Sequence, residues 1–296
     1  MGNLIFSTVD SGFLLQKTGK IAAILALLCM AFFIKEPITV KSYIYKAFRE
    51  VSRTRVFWQT RGWHELQGER FIVRFQEPDK NTASMVLGIA EKDYRPVSEK
   101  FSYTTKKKTL IVIYPTKESL GRSFGWDADE SAMGVYWAGV IRVLSPNAWL
   151  DEADPQMVKR VFETEGPIAH ELTHLMVDYI TGGNYTRWFT EGIAQYEEVR
   201  LTGYQVEHPE ITREDELYPL EEMDREFDSL EDQNLAYYQS LQTVKYLVNR
   251  YGEDSIGQIL SNLGRGMTMD QSFRRTLGVS LDQFDDNFRS WAVSNA

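Results

Sequence analysis

His170, Glu171 and His174 stand in the pattern His-Glu-x-x-His, "HELTH" over residues 170 to 174. On a helix, positions four apart lie one above the other, so the two imidazoles can each offer a ring nitrogen to one zinc ion. Glu171, next to the first of them, can reach a metal-activated water without ligating the metal. Two histidines and a water leave a tetrahedral site one ligand short. Glu191, in "RWFTEGIAQYEE" at 187 to 198, comes seventeen residues after His174 and falls on the next expected helix. The intervening glycines at 182 and 183 let the chain turn back, so an antiparallel helix pair brings Glu191 opposite the histidines. The expected product is a His2Glu zinc site with an open fourth position. A pattern of this kind arises by chance about once in a hundred chains of this length, before any helical context is demanded.

The other histidines do not fit such a site. An earlier "HEL" at 64 to 66 has Gly68 at the chelating position, and His208 has no partner at a useful spacing, so both His64 and His208 are read as non-ligands.

Elements must hold these residues, and the punctuation of the chain predicts them. Asp154-Pro155 is an N-cap and first-turn pair. The helix it opens is interrupted at Gly166-Pro167, where a new helix starts, runs through HELTH to Ile180 and ends at Gly182-Gly183. Further helices are expected over 188 to 199 and 234 to 251, with shorter ones after Gly252. Upstream, "RFIVRF" at 70 to 75 and "TLIVIYP" at 109 to 115 read as strands, and 80 to 99 as a helix. "MGVYWAGVIRVLSP" at 133 to 146 reads as an exposed strand or hairpin around Ala138-Gly139. The fold class is therefore α+β: a small amino-terminal sheet lobe over 69–150, a helical lobe over 151–296, and the zinc site between them.

Composition excludes one class of partner. Forty-two acidic against 33 basic residues give a net charge of −9, which repels nucleic-acid phosphates. The acidic stretch from Glu214 to Asp232 lacks the glycine and the alternating ligands of a calcium loop and reads as a solvated face. Residues 21 to 34, "IAAILALLCMAFFI", form an apolar run flanked by Lys17, Lys20 and Lys35. This run makes 1–37 an expected membrane anchor or signal segment and 38–68 a juxtamembrane linker or helix. On that reading the protein is membrane-anchored with its catalytic domain extracytoplasmic, or secreted if the segment is cleaved. The basic flank after the run argues the opposite orientation.

HELTH followed by "WFTEGIAQYEE" resembles the gluzincin metallopeptidases of the thermolysin-like superfamily, and most of all the peptidase-MA-like domain found in bacterial proteins. "AYYQSLQTVKYLVNRYG" at 236 to 252 is similar to the helix that follows the zinc site there, and the likeness covers about 70 to 293. It implies that His170, His174 and Glu191 bind Zn2+, that Glu171 is general base and then general acid, and that the strand near Val135 to Leu144 pairs with an extended peptide substrate. Tyr237 resembles the family's oxyanion-stabilising tyrosine, with Tyr238 as the alternative. At the place where the family often has a carboxylate supporting a zinc histidine this chain has Gln195, and the neighbouring Glu197 and Glu198 read as a solvated face. The expected function is a zinc-dependent metallopeptidase acting on peptide or protein. The alternative is a membrane-tethered binding domain of the same fold, with structural zinc and no turnover.

Overall fold

The run "TLIVIY" is apolar at every position except its first residue, and it forms a strand buried on both faces, β3 (Thr109–Tyr114), at the middle of the sheet. The computed structural model describes residues 37–125, 132–151, 154–204 and 213–294. The remaining strands are β1 (His64–Gln67), β2 (Phe71–Phe75), β4 (Gly134–Trp137) and β5 (Val140–Leu144), and the order across the sheet is β1-β2-β3-β5-β4. β2, β3 and β5 are parallel, and the two outer strands run antiparallel to their neighbours. The parallel step from β2 to β3 is made through the helix α2 (Lys80–Lys100), as such a step requires. β4 and β5 join through a two-residue turn, Ala138-Gly139, with φ of 46° and 84°. β5 has a neighbour on each side, so of the hairpin only β4 offers a free edge.

Two helices lie on the outer face of the sheet, α1 (Pro37–Gln59) and α3 (Lys117–Phe124). Val56 and Leu120 from these helices cover Leu110, Val112, Val140 and Leu144. The opposite face, with Phe71, Val73, Ile111, Ile113 and Ile141, belongs to the main core, which the helical remainder completes. That remainder comprises α4 (Pro155–Glu165), α5 (Ile168–Thr181), α6 (Arg187–Thr202), α7 (Leu220–Glu226), α8 (Gln233–Tyr251), α9 (Asp254–Gly264), α10 (Met269–Leu277) and α11 (Leu281–Ser294). Ile168, Leu172, Leu175 and Met176 of α5 pack with Trp188, Phe189 and Ile193 of α6 inside this core. The molecule is thus a mixed α/β protein with a small five-stranded sheet and a mostly helical remainder.

One expectation is overturned, and of the two remaining histidines one can be accounted for. The first "HEL" is part of β1, paired antiparallel with β2, and His64 stacks on Phe75 and sits 2.9 Å from Glu77. His208 lies outside the described residues. The expectation of a membrane-anchored, extracytoplasmic protein is corrected, because among the described residues no helix is long and apolar enough to cross a membrane. The reason is plain in α1, which is long enough but carries Lys41, Lys46, Arg49, Glu50, Arg53 and Arg55. The apolar run at 21 to 34 lies outside the described residues.

Candidate metal centre

α5 is preceded by Pro167 at its N-cap and closed by Gly182, whose φ of 65° suits glycine at a helix end. It meets α6 antiparallel: His174 contacts Thr190, and His170, one turn earlier, contacts Glu198 further along α6. Glycines set the approach of two more elements. A side chain at Gly192 would meet Ser240 O at 2.2 Å, so α8 can close on α6 only because the residue after Glu191 has none. A side chain at Gly134 would meet Pro167 at 2.4 Å and Glu171 Cγ at 3.1 Å, and its absence lets β4 run close across the start of α5.

The structure brings His170, His174 and Glu191 together. One donor atom from each lies within 4.8 Å of the others. His170 Nε2 is 3.0 Å from His174 Nε2, and Glu191 Oε2 is 3.3 Å from the first and 3.5 Å from the second. Each Nδ1 is already engaged, at 3.0 Å from Glu198 Oε2 and 2.7 Å from Thr190 Oγ1. Beside a carboxylate, the Nδ1 of His170 donates, so in the neutral imidazole it is the inward-facing Nε2 that carries the lone pair. Glu191 Oε1 accepts from Arg187 Nε at 3.1 Å, while Oε2 is buried with no hydrogen-bond partner of its own. Two ring nitrogens and a carboxylate oxygen converging within 3.5 Å of one another form the donor set of a cation site. Zinc bonds of about 2.0–2.1 Å imply separations of about 3.4 Å between tetrahedral ligand atoms, close to those found. The residues fit the ion that the sequence implies.

The electrostatics agree. Burial pushes the Glu191 carboxyl up, but the imidazoles and Arg187 overcome that and hold it well below the usual carboxylate range. Burial works against a proton on His170, yet Glu191 and Glu198 hold its affinity well above the ordinary imidazole value. Glu171 is different. Its carboxyl is raised, chiefly by burial and secondarily by Glu191, against the opposing pull of the two histidines. The Tyr136 backbone N–H, on β4, donates to Glu171 Oε2 at 2.5 Å.

Two contacts were not legible in advance. Glu198, expected on a solvated face, instead supports His170. It lies seven residues after Glu191, hence two turns on and nearly in line with it, which is the signal that could have found it. Thr190 supports His174 in the same way. Gln195 does not reach an imidazole in this arrangement; its side chain donates to Tyr237 O at 2.7 Å and ties α6 to α8. Glu197 pairs with Arg200. Tyr237 connects to the site indirectly: its hydroxyl accepts from Arg187 at 3.3 Å, the same guanidinium that holds Glu191.

Residues 108–294 match the profile of the family described as the Peptidase MA superfamily. No curated protein matches the chain. Among solved structures, a mutant M1 zinc metallopeptidase from Deinococcus radiodurans is similar at 15% identity and a TM-score of 0.42, covering 76% of this chain and 50% of that one. Its complex with a Tyr-Ser-Ala substrate aligns at 16% identity and a TM-score of 0.38, over 77% and 50%. The chain spans about half the length of these structures. With the family match extending over more than half of its residues, the chain belongs to the Peptidase MA superfamily.

Proposed function

We propose that the protein is a zinc-dependent peptidase that hydrolyses peptide bonds with Glu171 as general base. The observation that carries this is the convergence of His170 Nε2, His174 Nε2 and the partnerless Glu191 Oε2, with a second acid, Glu171, beside them and outside the ligand group. His170, His174 and Glu191 would hold the ion. Zinc, when bound, polarises a scissile carbonyl and makes a water more acidic.

Glu171 takes the proton of that water and returns it to the leaving amine. Its raised carboxyl suits it to carry a proton between the two steps. The Tyr136 N–H fixes Oε2, leaving Oε1 for the proton. The free edge of β4 supports the binding of an extended peptide by strand addition. Tyr237, whose hydroxyl accepts from Arg187, keeps its own O–H to donate to the developing oxyanion.

The test uses the full chain and its Glu171→Gln variant, with zinc content and cleavage of a mixed peptide library measured in parallel. The reading expects one zinc in both and a loss of cleavage of about 10²- to 10⁴-fold in the variant. One zinc in both with no cleavage by the wild type would favour a binding domain with structural zinc. A folded wild type that takes up no zinc would end the proposal.

A further inference from the structure

A second buried polar cluster sits on the same helix as the candidate ligands. Asp178, seven residues after Glu171, lies about two turns away on the same face of α5 and is fully buried. Arg49, reaching in from α1, donates through Nη1 to Asp178 Oδ2 at 3.0 Å and to its backbone carbonyl at 3.3 Å. The guanidinium also lies 3.7 Å over the ring of Tyr179. The phenol of Tyr136 donates to Asp178 Oδ2 and accepts the backbone N–H of Gly139 at 3.0 Å. Tyr136 therefore touches α5 twice, by its side chain at Asp178 and by its backbone N–H at Glu171.

We infer that Arg49 and Asp178 are positioning residues for Glu171, acting through Tyr136. This rests on the reading of Glu171 as general base. An edge strand paired on one side only is held weakly, and β4 is four residues long. The phenol pins it at one point to α5 and at another to its own turn, where Ala138 and Gly139 adopt the left-handed region. With both points fixed, the Tyr136 N–H can meet only one orientation of the Glu171 carboxylate. Arg49 holds the Asp178 side chain in place, so a side chain of α1, 122 residues before Glu171 in the sequence, sets the aim of the base. A buried ion pair gives little net stability over apolar packing; the geometry it imposes is its contribution.

Full-length Tyr136→Phe and Arg49→Ala are compared with the wild type in amide hydrogen exchange, zinc content, kcat and KM on a cleaved library peptide. Tyr136→Phe keeps the ring and the backbone N–H, so it decides the matter should Arg49→Ala fail to fold. Exchange at the Tyr136 amide should speed up about tenfold, a local opening, while Ile111 in β3 keeps its protection. One zinc should remain, KM should stay within about twofold, and kcat should fall about ten- to a hundredfold, the effect of a misplaced group. Arg49→Lys, which keeps the cation, should recover part of the loss. Unchanged Tyr136 exchange, exchange rising in step at Ile111, or unchanged kcat in a cleaving enzyme would each overturn the inference. If the wild type cleaves nothing while the exchange changes appear as expected, the peptidase reading fails and the linkage stands.

Discussion

Two acidic clusters share α5, and they differ in what balances the charge. At its start, Glu191 Oε2 faces two imidazoles and has no hydrogen-bond donor of its own; two turns later, Asp178 is met by a fixed arginine and a phenol. Burial is equal in both, with Glu191 2% and Asp178 0% exposed. A buried carboxylate needs a countercharge. At Asp178 the fixed arginine and phenol meet the same oxygen, and the site is structural; at Glu191 the fixed arginine engages only Oε1, and Oε2, facing two imidazoles, is left for an exchangeable cation. Changes at the first cluster should therefore register in metal content, and changes at the second in stability and geometry.

The largest effect expected from this contrast is the removal of a ligand. Site energies of zinc centres, about 10–16 kcal/mol over four ligands, assign about 3–4 kcal/mol to each. His174→Ala should thus bind zinc about two to three orders of magnitude more weakly, with its metal-free fold intact. Isothermal titration with zinc reads the affinity, and circular dichroism the fold. Wild-type affinity in this variant would remove the distinction between the clusters.

At the second cluster the same kind of deletion should act on stability. Asp178→Ala leaves Arg49 buried without its anion, at a cost of about 3 kcal/mol or more. The paired change Arg49→Met with Asp178→Leu should recover most of that loss in urea unfolding, since neither charge is then stranded. A double variant as unstable as the single one would mean that the loss comes from packing. No paired apolar replacement at His170 and Glu191 could restore zinc.

A smaller effect separates ligands from their supports. Glu198 holds His170 through Nδ1, and outer supports of this kind are worth about 10- to 100-fold in metal affinity. Glu198→Gln, which still accepts a hydrogen bond, should fall at the low end of that range and Glu198→Ala at the high end. If neither variant changes zinc affinity, Glu198 is a surface charge that happens to lie near an imidazole.

How much of this was legible beforehand follows from how far apart the interacting residues are. The candidate ligands were readable because two are four residues apart on one helix and the third is on the next one. The main helices and the two central strands followed from Gly, Pro and apolar runs. Glu198 was misjudged because its direction depends on the register between α5 and α6, which no local pattern encodes; taken alone, "EE" before Val199 looks like a solvated face. The Arg49–Asp178 pair is separated by 129 residues and Tyr136 from Asp178 by 42. Such pairs are fixed by tertiary packing, and an arginine in a basic helix or an aspartate in a helix carries no mark of it. β1 escaped notice because "HELQ" is largely exposed and lacks apolar alternation.

A third, half-buried carboxylate extends the contrast to a case with neither remedy. Asp93 on α2 has no arginine and no ring of ligands: burial raises its carboxyl from 3.8 to about 6, Lys92 pulls it down and Glu163 pushes it up. The sign follows from proton uptake. Between pH 3.8 and about 6 the folded chain binds more protons at Asp93 than the unfolded chain does, so its stability falls as pH rises across that window and levels off above it. Asp93→Asn removes the term. The variant should match the wild type near pH 4 and gain roughly 1–2 kcal/mol at pH 7, after allowing for solvent screening of a half-buried group. Urea unfolding at the two pH values measures it, and an equal difference at both would show that Asp93 carries no burial penalty. A gain confined to pH 7 would set the three carboxylates apart by what faces the charge: only a neighbouring lysine for Asp93, a fixed arginine and a phenol for Asp178, and an arginine with two imidazoles for Glu191.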